Sequence, residues 1–128
     1  MPDWSTYKAS AKQRGALALE LYVTESTPIS DELALKTILP EHLEYQRKLE
    51  TEGKLFLAGP LSDDTGTLME GSGLVIYRCG SLEEARVLAE NDPMHAKNVR
   101  KYRLRRWLIN EGSPQFSTAL SSQSVKLS

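Results

Sequence analysis

The stretch His42–Pro60, HLEYQRKLETEGKLFLAGP, decides the predicted fold because it joins the end of a helix directly to a strand. Apolar residues in its first half have helical spacing, and Gly53 can adopt the left-handed conformation that ends many helices. Lys54–Ala58 is short, largely apolar and closed by a Gly-Pro pair, as expected of a strand. The sequence therefore predicts a helix from about Ile38 to Glu52, with Pro40 tolerated in its first turn.

One histidine, His42, lies on the helix face that should be apolar. Residues three and four apart share a face, so His42 should belong to a stripe of apolar residues: Ile38, Leu39, Leu43 and Leu49. An imidazole taken out of water loses hydration free energy unless it is hydrogen bonded. We interpret His42 either as a partly buried structural histidine or as a general acid or base, since an unperturbed imidazole has a pKa of about 6.5.

Composition describes an ordinary globular chain. The 128 residues are 40% hydrophobic and 26% charged, which suits one domain with a normal core. A net charge of −1 gives no basic excess for nucleic acid or an anionic membrane. The single cysteine, Cys79, excludes an internal disulfide and fits a reducing compartment. With no secretory h-region and no apolar run near the ~20 residues of a membrane span, we expect a cytoplasmic protein.

The first predicted strand, Ala16–Glu25, alternates between two faces. One face carries the larger aliphatic side chains and should contact the helices: Leu17, Leu19, Leu21 and Val23. The other face, which includes Glu20 and Tyr22, is mixed enough to line a cavity.

The remaining elements complete a βαββαβ order. Residues 73–79 (GLVIYRC) form a strand that is apolar on both faces and therefore central. Ser81 and Glu84 form a capping box that opens a second helix, which ends at Asn91-Asp92-Pro93. Residues 99–109 form a fourth strand. The order is that of the ferredoxin-like split βαβ, an α+β fold with one four-stranded antiparallel sheet and both helices on one face.

The residues outside this pattern form two terminal segments. Residues 1–15 should be an extension that is loose or packs on a partner through Trp4 and Tyr7. The ferredoxin-like domain should occupy residues 16–112, and residues 113–128 should be a serine-rich flexible tail. Because one sheet face has no helix to cover it, we expect a homodimer that pairs the two open faces.

Laid out in this way, the chain resembles the YciI-like (YCII-related) family of dimeric α/β-barrel proteins. Four pieces in this order carry the resemblance: PEHLEYQRKLETEG (40–53), LFLAGPLSDD (55–64), EGSGLVIYR (70–78) and SLEEARVLAENDPMHAKN (81–98). Together they cover residues 17 to about 110. The resemblance implies a barrel-like dimer and a small-molecule site built around a histidine–aspartate pair, which carries over onto His42 and Asp92. Some relatives eliminate or isomerise ring substrates, such as a chlorinated hydroxyquinol, and many have no assigned activity.

Asp92 has two interpretations. An Asp-Pro pair at a helix end is ordinary stop chemistry. Alternatively, Asp92 accepts a hydrogen bond from one imidazole nitrogen and leaves the other nitrogen facing substrate. His95 is expected at the surface or at a pocket rim. A metal site of His42, Asp92 and His95 is disfavoured, because no ligand-spaced pair lies on one element.

The other site candidates are weaker. Ser72 could offer a hydroxyl or amide donor to an oxyanion, or could be a turn residue. Gly59 could place backbone groups at the pocket mouth. Tyr22 and Tyr45 are candidate substrate contacts, with Tyr45 a possible lid, although aromatic residues more often pack in cores or interfaces. Among the basic residues of 100–106, one is a candidate to hold an anionic substrate.

Together with these residues, the resemblance implies a small cofactor-independent enzyme, a lyase or isomerase that performs elimination or a proton shift on a small cyclic oxygenated metabolite. The chain contains no GxGxxG, phosphate-cradling loop or CxxC, so we expect no cofactor and no metal. Two alternatives stay open: a non-catalytic dimer that binds a small molecule in the same pocket, and a cofactorless oxygenase. We expect no nucleic-acid or membrane partner.

Overall fold

The protein contains four helices and six strands. The computed structural model describes all 128 residues. The helices are α1 (Trp4–Gln13), α2 (Glu32–Thr51), α3 (Leu82–Glu90) and α4 (Pro93–Ala96). The strands are β1 (Leu19–Pro28), β2 (Leu55–Ser62), β3 (Met69–Tyr77), β4 (Arg100–Ile109), β5 (Phe116–Ala119) and β6 (Ser124–Leu127).

Strands β1 to β4 form one sheet in the order β2-β3-β1-β4. β3 runs antiparallel to both of its neighbours, and Val75 pairs with Thr24 on one side and with Ala58 on the other. The interior position of β3 agrees with the prediction from a strand that is apolar on both faces. This strand order, together with helices α2 and α3, confirms the predicted α+β, ferredoxin-like fold.

The face of β1 that contacts the helices differs from the prediction. The main core cluster joins Tyr22 to Val75 and Tyr77 of β3 and to residues of α2 and α3. Leu21, on the opposite face, is also fully buried. The prediction that the aliphatic face of β1 contacts the helices is therefore wrong. Both faces are apolar in the middle of the strand, and alternation alone does not say which one the helices cover.

Helix α2 begins earlier than predicted. Asp31 is its N-cap, and the carboxylate of Asp31 accepts a hydrogen bond from the backbone N–H of Ala34 at 2.9 Å. Pro40, predicted in the first turn, therefore lies inside the helix. There it removes the hydrogen bond that an ordinary residue would donate to the carbonyl of Lys36, and such an interruption costs about 3 kcal/mol when nothing offsets it.

Helix α2 ends where the sequence predicted. Gly53 has a φ of +75°, in the left-handed region. Its N–H donates to the carbonyl of Glu50 at 3.1 Å, and the N–H of Lys54 donates to the carbonyl of Leu49 at 2.8 Å. This pair of bonds is a Schellman motif, which satisfies the last carbonyls of the helix and turns the chain into β2.

The least exposed face of α2 is narrower than the predicted stripe. It includes four residues at helical spacing: Ile38, His42, Tyr45 and Leu49. Leu39 and Leu43, which were predicted to belong to it, are 42% and 40% exposed. With 3.6 residues per turn, residues 39 and 43 point about 100° away from residues 38 and 42.

Helix α3 is positioned by the predicted cap. The hydroxyl of Ser81 accepts from the N–H of Glu84 at 3.1 Å, and the carboxylate of Glu84 accepts from the N–H of Gly80 at 2.9 Å. Ala85 and Ala89 are fully buried in the core cluster. Their small side chains let α3 approach the sheet closely, which sets where the chain leaves α3 and enters the candidate site.

The chain divides into two compact units, residues 20–107 and a second unit made of residues 1–19 and 108–128. In the second unit, residues predicted to form a loose or partner-bound extension form helix α1, capped by Asp3. The segment predicted to be a flexible tail contains an antiparallel hairpin of β5 and β6. Both elements are short and polar, so hydrophobic periodicity gave no sign of them. No helix of the structure has the length and apolar character needed to cross a membrane.

Candidate functional site

His42 of α2 and Asp92, the residue before α4, are in direct contact. Nδ1 of His42 lies 2.8 Å from Oδ1 and 2.9 Å from Oδ2 of Asp92. The Asp92 side chain is 2% exposed and the His42 side chain is 17% exposed. The fold therefore joins a buried carboxylate to an imidazole that still reaches solvent.

The position of Asp92 follows from the way α3 ends. Pro93 prevents α3 from continuing, because the residue before a proline avoids the helical region. Asp92 then becomes the N-cap of α4, and its Oδ1 accepts a hydrogen bond from the N–H of Met94 at 2.9 Å. One carboxylate thus caps a helix and holds His42, so the two interpretations of Asp92 are compatible with each other.

The contact with Asp92 determines which nitrogen of His42 is left over. A carboxylate only accepts hydrogen bonds, so Nδ1 of His42 carries a proton and donates it. Nε2 has no hydrogen-bond partner within the chain, because Nδ1 makes both of the contacts that the ring has. A neutral imidazole in this tautomer offers the Nε2 lone pair to a ligand, as a general base requires.

His95 is buried, which corrects the prediction that it lies at the surface or at a pocket rim. It is 8% exposed. Its Nδ1 donates to the carbonyl of Ala89 at 2.8 Å, so its Nε2 accepts from the hydroxyl of Ser26, also at 2.8 Å. Burial lowers the pKa of His95 below 6.5, which keeps the ring neutral. Both ring nitrogens of His95 are hydrogen bonded within the chain, so His95 has a structural role and offers neither nitrogen to a ligand.

Arg100 extends this network across the sheet. Its Nε donates to the hydroxyl of Ser26 at 2.9 Å, and its Nη2 donates to the backbone carbonyls of Ser26, at 3.0 Å, and of Gly71. Burial lowers the pKa of Arg100 from its ordinary value, and the negative charge of Asp92 opposes that shift. Arg100 therefore adds a positive charge to the hydrogen-bond network that runs through Ser26 and His95.

The hydroxyl of Tyr77 is buried near the hydroxyl of Thr24 and within reach of the field of Asp92, but it makes no hydrogen bond of normal geometry. The residue is completely inaccessible to solvent. Burial, followed by the charge of Asp92, raises the pKa of Tyr77 far above 10, so the group stays protonated. Such unpaired donors are rare because each costs about 1–3 kcal/mol.

Two tyrosines that were candidate substrate contacts are used by the fold. The hydroxyl of Tyr45 donates to the carbonyl of Leu88 at 2.8 Å and ties α2 to α3, so Tyr45 does not form a lid. The hydroxyl of Tyr22 donates to the carboxylate of Glu20 at 2.6 Å, and Tyr22 is 2% exposed. Burial raises the pKa of each of these tyrosines to about 12.

The structure does not bring Ser72 and Gly59 to the pair. Gly59 pairs with Leu74, and Ser72 has the same strand parity as Leu74. Val75, at the neighbouring position, belongs to the core beneath the helices. Ser72 and Gly59 therefore lie on the sheet face opposite α2 and α3.

Two of the cavities in residues 20–107 have no contribution from His42 or Asp92. One, of about 270 Å³, lies in the β2–β3 hairpin. The other, of about 400 Å³, lies between α2 and β2 and is lined in part by Leu43, Gln46 and Phe56. No cluster of three or more His, Cys, Asp or Glu side chains is placed to hold a metal ion. The pair reaches solvent through the imidazole of His42, which is 17% exposed.

Comparison with known proteins places the chain in a family. The model of the YCII-related domain matches residues 21–108. The chain belongs to the YCII-related family. This YCII-related chain is also 30% identical over 70 residues to the uncharacterized protein YjpA of Bacillus subtilis (strain 168), covering 55% of this chain and 75% of YjpA.

A solved structure shows the same YCII-type fold. It is 5-chloro-2-hydroxyhydroquinone dehydrochlorinase (TftG) from Burkholderia phenoliruptrix AC1100, in complex with 2,5-dihydroxybenzoquinone. The TM-score is 0.56 at 24% sequence identity, and the match covers 68% of this chain and 92% of TftG. The sequence-based resemblance is therefore confirmed at the level of family and fold.

Proposed function

We propose that this protein is a small cofactor-independent enzyme, a lyase or isomerase, that acts on a small cyclic oxygenated molecule. The observation that carries the proposal is the contact of His42 Nδ1 with Asp92, which leaves Nε2 of a partly exposed imidazole unpaired. Proton transfer to or from such a group is a common way for a side chain to accelerate elimination and isomerisation.

In the proposed reaction, Nε2 of His42 removes a proton from a ring hydroxyl or from an acidic ring carbon. In an elimination, the electron pair moves through the ring and expels a leaving group as its anion, so that HX is lost overall. In an isomerisation, the imidazolium returns the same proton to a different atom. Asp92 stabilises the imidazolium in both cases, because the carboxylate lies 2.8 Å from Nδ1 and receives only one other hydrogen bond, from Met94.

TftG supports the reaction class. TftG is a dehydrochlorinase of 5-chloro-2-hydroxyhydroquinone, and its structure contains 2,5-dihydroxybenzoquinone. Removal of HCl from such a ring is an elimination of the proposed kind. For this chain, the proposal covers the class of reaction and the class of ligand seen in TftG, and it names no individual substrate.

We propose in addition that the protein forms a homodimer through the sheet face without helices. Leu21 and Ile76 of that face are already buried within the chain, whereas Leu57 and Trp107 are 51% and 43% exposed and are the apolar side chains left for a second copy. The ion pair of Arg105 with Glu25 lies on the same face and places charge at its edge. Burial of exposed leucine and tryptophan against a second copy would stabilise the pair of sheets by roughly 25 cal/mol per Å² of apolar surface. A cytoplasmic location, suggested by the lone cysteine, completes the proposal.

The catalytic proposal is tested by turnover of a panel of chlorinated and unchlorinated hydroquinones and hydroxyquinols. Chloride release and ultraviolet spectra are followed for the wild type, His42→Ala, Asp92→Asn and Gln46→Ala. Gln46 is the matched control, because it lies one turn beyond His42 on α2 and lines the cavity between α2 and β2, which does not include His42. We expect turnover in the wild type and in Gln46→Ala, and a loss of about 100-fold or more in His42→Ala.

The same experiment separates the alternatives. Wild-type rates in His42→Ala would contradict the role of His42. Tight binding of a ring ligand that is recovered unaltered would indicate a non-catalytic binding dimer. Oxygen consumption with an electron-rich phenol would indicate a cofactorless oxygenase. The dimer is tested separately by light scattering, where Trp107→Glu should shift the mass towards that of one chain.

A further inference from the structure

We propose that Arg100 forms an anion-binding subsite beside the His42–Asp92 pair, so that the ligand is a ring that carries a carboxylate or a phenolate-type oxyanion. That this ligand is also the substrate rests on the function proposed above. The binding of the anion does not, and it can be measured without turnover.

Arg100 is held in one orientation by neutral acceptors. Its three hydrogen bonds use the Nε and Nη2 donors and end on the hydroxyl and the carbonyl of Ser26 and on the carbonyl of Gly71. Gly71 has a φ of +100°, which turns its carbonyl into this position as few other residues could. The guanidinium group therefore loses little conformational freedom when it binds a ligand.

The positive charge of Arg100 has no carboxylate in contact with it. The ion pairs of the chain involve other cations, and Asp92 acts on Arg100 only from a distance. A guanidinium carries five N–H donors. The bonds to Ser26 and Gly71 occupy Nε and Nη2, and both donors of Nη1 are left unpaired. A partly buried cation with two unused N–H donors is suited to an anionic oxygen.

Arg100 lies on the same side of the sheet as the catalytic candidates. On β4 it has the parity of Tyr102 and Leu104, which pack against the core beneath the helices. It also shares a hydrogen-bond chain with the pair: Arg100 donates to Ser26, Ser26 donates to His95, and the backbone N–H of His95 donates to the carbonyl of Asp92 at 2.9 Å.

The other arginines of this strand do not share these features. Arg105 pairs with Glu25 on the opposite face of the sheet. Arg103 and Arg106 are exposed. Of the basic run that the sequence offered for an anionic substrate, only Arg100 is fixed by hydrogen bonds on the helix side of the sheet and linked to Asp92 through Ser26 and His95.

The test compares two probes that differ by one carboxylate: 2,5-dihydroxybenzoate and hydroquinone. Dissociation constants are measured by calorimetry for the wild type, Arg100→Gln, Arg103→Gln and His42→Ala. We expect the wild type to bind the benzoate about tenfold more tightly than hydroquinone. Arg100→Gln should lose that preference, whereas the exposed control Arg103→Gln should keep it. His42→Ala should also keep it, since the anion does not bind His42.

A second measurement uses only the wild type, so that its result does not depend on the folding of Arg100→Gln. In the wild type, the NMR resonance of the Arg100 Nε–H should shift on addition of 2,5-dihydroxybenzoate and should not shift with hydroquinone. Equal binding of the two probes, no binding of the benzoate, or a preference that survives in folded Arg100→Gln would overturn the subsite. A failure of the catalytic proposal alone can be distinguished from a failure of the subsite. In that case no substrate turns over, while the wild type still prefers the benzoate to hydroquinone.

Discussion

The His42–Asp92 contact predicts a measurable coupling free energy between the two side chains. In Asp92→Ala, the buried carboxylate disappears together with two hydrogen bonds, from His42 and from the N–H of Met94. Loss of an N-cap costs about 1 kcal/mol and loss of a hydrogen bond to a charged group costs about 2 kcal/mol, which sum to about 3 kcal/mol. His42→Ala loses only the shared bond, so it should cost about 2 kcal/mol, because the 17% exposure of the imidazole lets water reach the vacated space.

The two losses overlap, so they should not add. The double variant should be destabilised by about 3 kcal/mol, against about 5 kcal/mol for the sum, which gives a coupling of about 2 kcal/mol. Urea unfolding followed by circular dichroism measures all four proteins. Equal m-values across the set are the control that the denatured state has not changed.

Additive effects would refute this reasoning. If the double variant lost the sum of the two single losses to within about 0.5 kcal/mol, the two side chains would act independently. Asp92 would then be only a helix cap, and His42 would be only a partly exposed histidine with no fixed orientation.

Three further outcomes follow from individual residues. Tyr77→Phe should raise the free energy of unfolding by about 1 kcal/mol in urea titrations, because it removes an unpaired buried hydroxyl; a loss of stability would show that the hydroxyl is bonded. Burial lowers the pKa of His95 below its unfolded value of 6.5, so the unfolded chain binds more protons and stability should fall as the pH drops below about 6.5. Thermal melts from pH 7 to pH 5 should show a smaller loss in His95→Gln, and an equal loss would contradict this assignment. Gly53→Ala should lower stability by about 1 kcal/mol, since φ is +75° and no neighbouring atom hinders a methyl group; an unchanged urea midpoint would contradict a purely conformational cost.

The element order and the local signals were predictable because they depend on residues close in sequence. Gly53 ends α2, Ser81 and Glu84 cap α3, and the strand with two apolar faces lies inside the sheet. The start of α2 was predicted too late because proline is commonest in the first turn of a helix, whereas Pro40 lies inside α2. The cap at Asp31 and the length of the helix offset the one hydrogen bond that Pro40 removes.

The candidate site was only partly predictable. His42 and Asp92 were predicted as site residues from the helix pattern and from the family resemblance. The same grounds predicted the contact between them. The inward position of His95 could not, because it depends on a single turn of helix, α4, that has no periodic signal. The role of Ser26 could not be predicted either, because its bonds to His95 and Arg100 span 69 and 74 residues.

The positions of Ser72 and Gly59 show the limit of reasoning from motifs. Both lie in segments that resemble the family, yet strand parity places them on the far side of the sheet from His42. Parity depends on bulges, and the register of β2 against β3 shifts by one residue between Leu55 and Leu57. A one-residue shift of this kind cannot be read from composition.

Hydrogen–deuterium exchange on a ring ligand tests the central claim most directly, because it reports proton transfer without requiring a leaving group. Ring C–H signals of 2,5-dihydroxybenzoquinone in D₂O are followed by proton NMR with the wild type, His42→Ala and Gln46→Ala. The wild type and Gln46→Ala should accelerate the loss of signal over buffer, and His42→Ala should return it to the buffer rate. Equal acceleration by His42→Ala, or none by the wild type, would contradict proton transfer through His42.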